Sequence, residues 1–95
     1  MSYYQALQDH KYTVAYAYLD ANTTDTSTGQ QLTLQIFIQI AQESENMGGP
    51  ISSFHAAAYP PLVVVTVSRS GGPYHVHLHI KQEGSAWTIT SLDRI

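Results

Sequence analysis

Ninety-five residues with a formal net charge of −3 and four Lys/Arg make one domain, residues 1–95, with enough chain for a single modest core. So few cations form no basic footprint, which argues against nucleic acid and anionic membrane as partners. There is no cysteine, so disulfides and thiolate metal sites are excluded, no apolar run reaches membrane-spanning length, and the N-terminus lacks the blocks of a signal peptide.

Ser2-Tyr3-Tyr4-Gln5 has the form of a capping box and predicts a short helix to about His10, with Tyr3, Ala6, Leu7 and His10 on one stripe. A break near Asp9-His10-Lys11 leads into a second helix, where Tyr12, Ala15, Tyr16 and Leu19 keep the spacing of a buried face. Asn22 to Gly29, rich in Thr, Ser, Asp and Asn, reads as a loop. Leu32 to Gln42 alternates strictly, which by period alone says strand. Thr33 as N-cap, Leu32 and Phe37 as hydrophobic staple, and the stop at Asn46-Met47-Gly48-Gly49-Pro50 favour a helix from Leu34 to Asn46 instead. Helix is chosen. It leaves Ile36 and Ile38 off the core stripe, on an apolar flank suited to an interface.

Four strands are predicted after it: Ile51 to Ala58, Leu62 to Ser68, Tyr74 to Gln82 and Ala86 to about Asp93. Tyr59-Pro60-Pro61 between the first two reads as an edge or crossover. In the third, Tyr74, Val76, Leu78 and Ile80 alternate with His75, His77, His79 and Lys81, so the apolar set faces inward and the imidazoles outward. A hairpin at Ser70-Gly71-Gly72-Pro73 sets Val67 opposite Val76, Val65 opposite Leu78 and Val63 opposite Ile80. A second, at Glu83-Gly84, sets Ile80 opposite Trp87, Leu78 opposite Ile89 and Val76 opposite Ser91.

Tyr3-Tyr4-Gln5-Ala6-Leu7 followed by Tyr12-Thr13-Val14-Ala15-Tyr16-Ala17-Tyr18-Leu19 resembles the opening of the nuclear-transport-factor-two-like (cystatin-like) superfamily. Leu32-Thr33 with Phe37 resembles the start of that superfamily's third helix. Ser85-Ala86-Trp87-Thr88-Ile89-Thr90-Ser91 is similar to its closing strand, where Trp and Ile face inward. The resemblance spans nearly the whole chain and is of the kind found in small, uncharacterised bacterial domains, often lipoprotein or membrane-anchored ectodomains, which implies an extracytoplasmic location. It implies an α+β fold in which three N-terminal helices pack on a curved four-stranded antiparallel sheet and enclose a conical pocket. The superfamily includes ketosteroid-isomerase-like and dehydratase-like enzymes as well as inactive binding or scaffold domains, so fold alone leaves function open. The chain departs from the pattern at His55-Ala56-Ala57-Ala58-Tyr59-Pro60-Pro61, short for the usual first hairpin, and at its three alternating histidines.

Two histidines at i, i+2 on a strand can share one zinc ion, but the outer pair of three stands too far apart. Ser68, Thr66, Val64, Thr88, Thr90 and Leu92, expected beside His75, His77 and His79, offer no third ligand, so a solvated or interface face is the expectation and no metal or cofactor is assigned. Acid–base chemistry would need Asp9, His10, Asp20, Glu43, Glu45, His55 or Asp93 held among aromatics. Asp93 faces inward by parity with Trp87, Ile89 and Ser91 unless a bulge reverses it. The expected function is a non-catalytic small-ligand-binding or interaction domain whose apolar pocket uses Tyr16, Phe37, Phe54, Trp87, Leu78 and Val65, with a homodimer through the outer sheet face. The alternatives are a ketosteroid-isomerase-like or hydrolase-like acid/base enzyme, its pocket natural or engineered, and a zinc site on the histidine strand.

Overall fold

Tyr3, Tyr4, Ala6 and Leu7 are buried along α1 (Ser2–Gln8), the first element of the computed structural model, which describes residues 2–95. Gln5 does not close a capping box; its amide nitrogen donates forward to the Asp9 carboxylate at 3.2 and 3.3 Å. His10, at φ 60°, separates α1 from α2 (Tyr12–Tyr16). The second helix ends at Tyr16, short of the expected Leu19, because Leu19 opens a strand.

That strand overturns the expected architecture. β1 (Leu19–Asp25) occupies much of the stretch expected as a loop, turns through Thr26 to Gly29, and pairs antiparallel with β2 (Gln30–Gln31). Together they extend the sheet to six strands in the order β2-β1-β6-β5-β4-β3, and β1 runs parallel to β6. The sheet is therefore mixed and six-stranded, not antiparallel and four-stranded. The third helix, α3 (Leu34–Gly48), follows β1 and β2, so the three helices are not all N-terminal. Side-chain burial contributes little to β1, where only Leu19, Thr23 and Asp25 are buried. Its polar interior is satisfied locally: the Thr23 hydroxyl lies 2.6 Å from the Ile89 carbonyl oxygen and 2.7 Å from that of Asp20, and Asp25 Oδ1 accepts from Ser27 N at 2.9 Å.

α3 forms despite its alternating pattern because its ends are specified. Thr33 Oγ1 accepts from Ile36 N at 3.3 Å, and Gly49, at φ 83°, donates its N–H to the Glu45 carbonyl. Leu32 and Phe37 are both fully buried, as the staple requires. Ile36 and Ile40 are half-buried and pack against the core.

The remaining strands are β3 (Ile51–Tyr59), β4 (Leu62–Arg69), β5 (Gly72–Glu83) and β6 (Ala86–Leu92). The first of the two later hairpins is tighter than expected, and the second keeps a two-residue loop moved one position along the chain. Arg69 pairs with Gly72 across Ser70-Gly71, which sets Val65 opposite Val76 and Val63 opposite Leu78. Glu83 pairs with Ala86, which sets Gln82 opposite Trp87 and Ile80 opposite Ile89. These pairings are displaced by two residues from the expected ones, and a displacement of two keeps every side chain on its own face. Pro60-Pro61, joined by a cis peptide, make the turn between Tyr59 and Leu62 rather than a crossover.

A bulge after His79 then brings Leu92 opposite Leu78 and into the core. Val63, Val65, Val67, Val76, Leu78, Ile89 and Leu92 form the sheet's inner wall, packed on Tyr3, Tyr4, Leu32 and Phe37. His75, His77 and His79 are exposed on the other face. No helix among the described residues is long and apolar enough to cross a membrane.

Candidate functional site

The helices are short and the sheet is long. β5, at 12 residues, spans about 35 Å, whereas α1, at 7 residues, covers about 10 Å. One end of the inner face is therefore left uncovered, and a cavity of about 530 Å³ lies there. Ala56 and Ala58 of β3, Val63 of β4, Ile80 of β5 and Trp87 and Ile89 of β6 line it from the sheet side. Ser2 and Tyr3 from α1, Tyr18 from the α2–β1 link, Pro60 and Thr88 complete the wall.

Alternation explains the free volume. Phe54, Ala56 and Ala58 occupy successive inward positions of β3, opposite Val67, Val65 and Val63. The first fills its place, its ring centroid 5.7 Å from that of Tyr4; the two alanines fill little of theirs. Trp87, 47% exposed, forms one rim.

Of the six residues expected to line a pocket, only Trp87 does so. Phe37, Val65 and Leu78 are fully buried core. Phe54 packs on Tyr4, and Tyr16 packs on Phe37 with its hydroxyl donating to the Leu32 carbonyl at 2.9 Å. Tyr16 is thus committed to holding the segment before α3. The sequence reading overlooked Tyr3, Tyr18, Ala56 and Ala58. Two alanines at alternate positions of a strand, where the facing strand carries valines, were the signal that could have found the space.

None of the carboxylates and imidazoles considered for acid–base work lines this cavity. Asp9 binds Gln5, Asp20 accepts from Asn22 N at 2.9 Å, and Glu43 lies beside Gln39. His10 pairs with Glu45 at 2.6 Å on the surface, and His55 is exposed. Tyr12 reaches the same Glu45; burial first, then that carboxylate, raises its pKa. Tyr3 borders the cavity, but its hydroxyl is buried and has no partner among the described residues. Burial, reinforced by the Tyr74 hydroxyl, pushes its pKa well above the usual tyrosine value, so it stays a neutral phenol.

On the opposite face each strand-β5 imidazole has a cross-strand partner through Nδ1. His75 meets Thr66 Oγ1 at 3.1 Å, His77 meets Asp93 Oδ2 at 2.8 Å and His79 meets Ser91 Oγ at 3.2 Å. Asp93 is therefore on the histidine side; the bulge after His79 reverses the inward parity of the uninterrupted strand. Among the described residues, no group of three or more His, Asp or Glu is placed to hold a metal ion.

No protein-family model matches the chain, and no curated protein matches it. Its fold is similar to two solved structures. One is a DUF4783 family protein from Bacteroides fragilis YCH46, at a TM-score of 0.69 and 11% identity, covering 93% of this chain and 89% of that one. The other is a DUF4783 family protein from Bacteroides ovatus ATCC 8483, at a TM-score of 0.65 and 17% identity, covering 96% and 90%. At such identities the likeness is one of fold.

Proposed function

We propose that this chain is a non-catalytic binding domain whose ligand is a small, neutral, apolar molecule held in the cavity beside Trp87. One observation carries the proposal: among the described residues the cavity is lined by alanine, valine, isoleucine, proline and aromatic residues with Ser2 and Thr88, and by no carboxylate, imidazole or lysine side chain. Its volume of about 530 Å³ lies within the roughly 300–1,000 Å³ of small-molecule sites. The acid–base chemistry weighed for the carboxylates and histidines would need a carboxylate or imidazole in that wall.

Trp87 is the only tryptophan, so its fluorescence reports the site directly. Titration with the neutral probe N-phenyl-1-naphthylamine is expected to quench Trp87 saturably. Ala58→Phe, which fills the cavity from β3, is expected to weaken binding about tenfold or more. Quenching that never saturates, or that Ala58→Phe leaves unchanged, removes the proposal.

A homodimer through the outer sheet face belongs to the same reading. Tyr59, 68% exposed, stands beside half-buried Leu62 and Val64 on that face, an apolar patch without cover from the helices. Sedimentation equilibrium tests it, and a monomer at every concentration refutes it.

A further inference from the structure

Arg69 is 9% exposed, yet among the described residues no carboxylate pairs with it. Its Nε donates to the Tyr74 hydroxyl at 2.8 Å and its Nη1 to the Gly49 carbonyl at 2.7 Å. Nη2 makes no hydrogen bond to the described residues. It is not sealed in the core either, since the buried, unpaired side-chain atoms there are the hydroxyls of Tyr3 and Tyr4. Arg94 lies on the same aromatic ring, its guanidinium carbon 3.9 Å from the Tyr74 centroid, and it too has no carboxylate partner among the described residues. Both arginines line a cleft of about 350 Å³ between the end of α3 and the β4–β5 turn, together with Ser44 and Gly71.

Part of this charge has a structural use. The carboxyl end of α3 carries about half a negative charge, and Arg69 meets it through Gly49. Two guanidinium groups exceed that half charge severalfold. Placing a cation nine-tenths out of water is costly unless an opposite charge compensates it. The acceptors that Arg69 itself meets, a phenol and a carbonyl, are neutral, and the phenol in turn donates to the Ile95 main-chain oxygen at 3.3 Å. A free guanidinium edge beside a second, stacked guanidinium is the chemistry that recognises a planar or tetrahedral oxyanion.

We infer that the Arg69–Arg94 cleft is an anion site, separate from the apolar cavity, that takes a carboxylate or phosphoryl group of a small ligand. Tyr74 organises it, fixing Arg69 by its hydroxyl and Arg94 by its ring.

Sodium acetate and inorganic phosphate are the two probes, each titrated at constant ionic strength against sodium chloride and read by NMR at the arginine Nε–H groups and the Gly71 and Gly72 amides. Saturable shifts at these groups with either anion, and not with chloride, support the site; which anion binds tighter assigns it to carboxylates or to phosphoryl groups. Arg94→Gln is expected to weaken binding about tenfold, the loss of one charge-assisted contact, whereas Lys81→Gln, on the far half of β5, leaves it unchanged. Arg69→Lys, which keeps the charge if Arg69→Gln fails to fold, is expected to weaken binding as well. Shifts that chloride reproduces, that never saturate, or that survive Arg94→Gln unaltered overturn the inference.

Discussion

The Asp93 carboxylate holds His77 at two points. Its Oδ1 accepts from the His77 backbone N–H and its Oδ2 lies against the ring Nδ1, each at 2.8 Å. An ionised carboxylate only accepts, so the neutral imidazole must carry its proton on Nδ1 and leave Nε2 bare. Thr66 and Ser91 are hydroxyls that can donate or accept, so they impose no such choice on His75 and His79. Long-range proton–nitrogen correlation at alkaline pH is expected to show the Nδ1–H form for His77. In Asp93→Asn the preference is expected to be released, with a stability loss of about 0.5–1 kcal/mol because the pair is half exposed.

Tyrosines separate paired from unpaired hydroxyls. Tyr74 accepts from Arg69 Nε at 2.8 Å, so Tyr74→Phe strands a buried guanidinium N–H and is expected to cost about 1.5–3 kcal/mol in urea denaturation. Tyr3 and Tyr4 have buried hydroxyls with no partner among the described residues. Tyr3→Phe is expected to be neutral or stabilising, since a phenyl ring removes an uncompensated polar group. A loss as large as that of Tyr74→Phe would reveal a hidden partner.

The same burial sets an alkaline limit. Burial, then neighbouring hydroxyls, raises the pKa of Tyr3 and Tyr4 well above the ordinary value. Above about pH 10 the unfolded chain releases these protons while the folded chain keeps them. The unfolded state then binds fewer protons, so stability falls as pH rises, by about 1.4 kcal/mol per pH unit for each such tyrosine. Full stability is retained below that window. Chemical denaturation across it is expected to show a shallower slope for Tyr3→Phe than for the parent chain.

Gly49 sits where only glycine is comfortable, at φ 83° and ψ 175°. A Cβ there would also collide with Ser70 Oγ. Gly49→Ala is expected to lose more than the roughly 1–3 kcal/mol of backbone strain alone. Adding Ser70→Gly is expected to recover the collision but not the strain.

Alternation and end signals made most of this legible. The inward set Val76, Leu78 and Ile80 and the outward histidines follow from period two, and Thr33 and Gly49 announce α3 more strongly than its misleading alternation. Turn length did not follow. Ser70-Gly71-Gly72-Pro73 offers several two-residue and four-residue closures, and the tighter one won. β1 was invisible because Asp20, Ala21, Asn22 and Thr24 give no hydrophobic period; backbone pairing with β6 holds it. The cavity was misplaced for a related reason: aromatic residues mark where volume is filled, and the space lies where Ala56 and Ala58 leave it empty.

Pairing of Leu19 with Ile89 and of Asp25 with Leu92 ties nearly the first residues of the sheet to its last. During synthesis the Leu19–Asp25 segment leaves the ribosome well before the strand that receives it, so its β6 edge must wait unpaired until Ala86–Leu92 has emerged. The last hairpin to be translated closes the whole sheet, and late translation is where this protein is most exposed to aggregation.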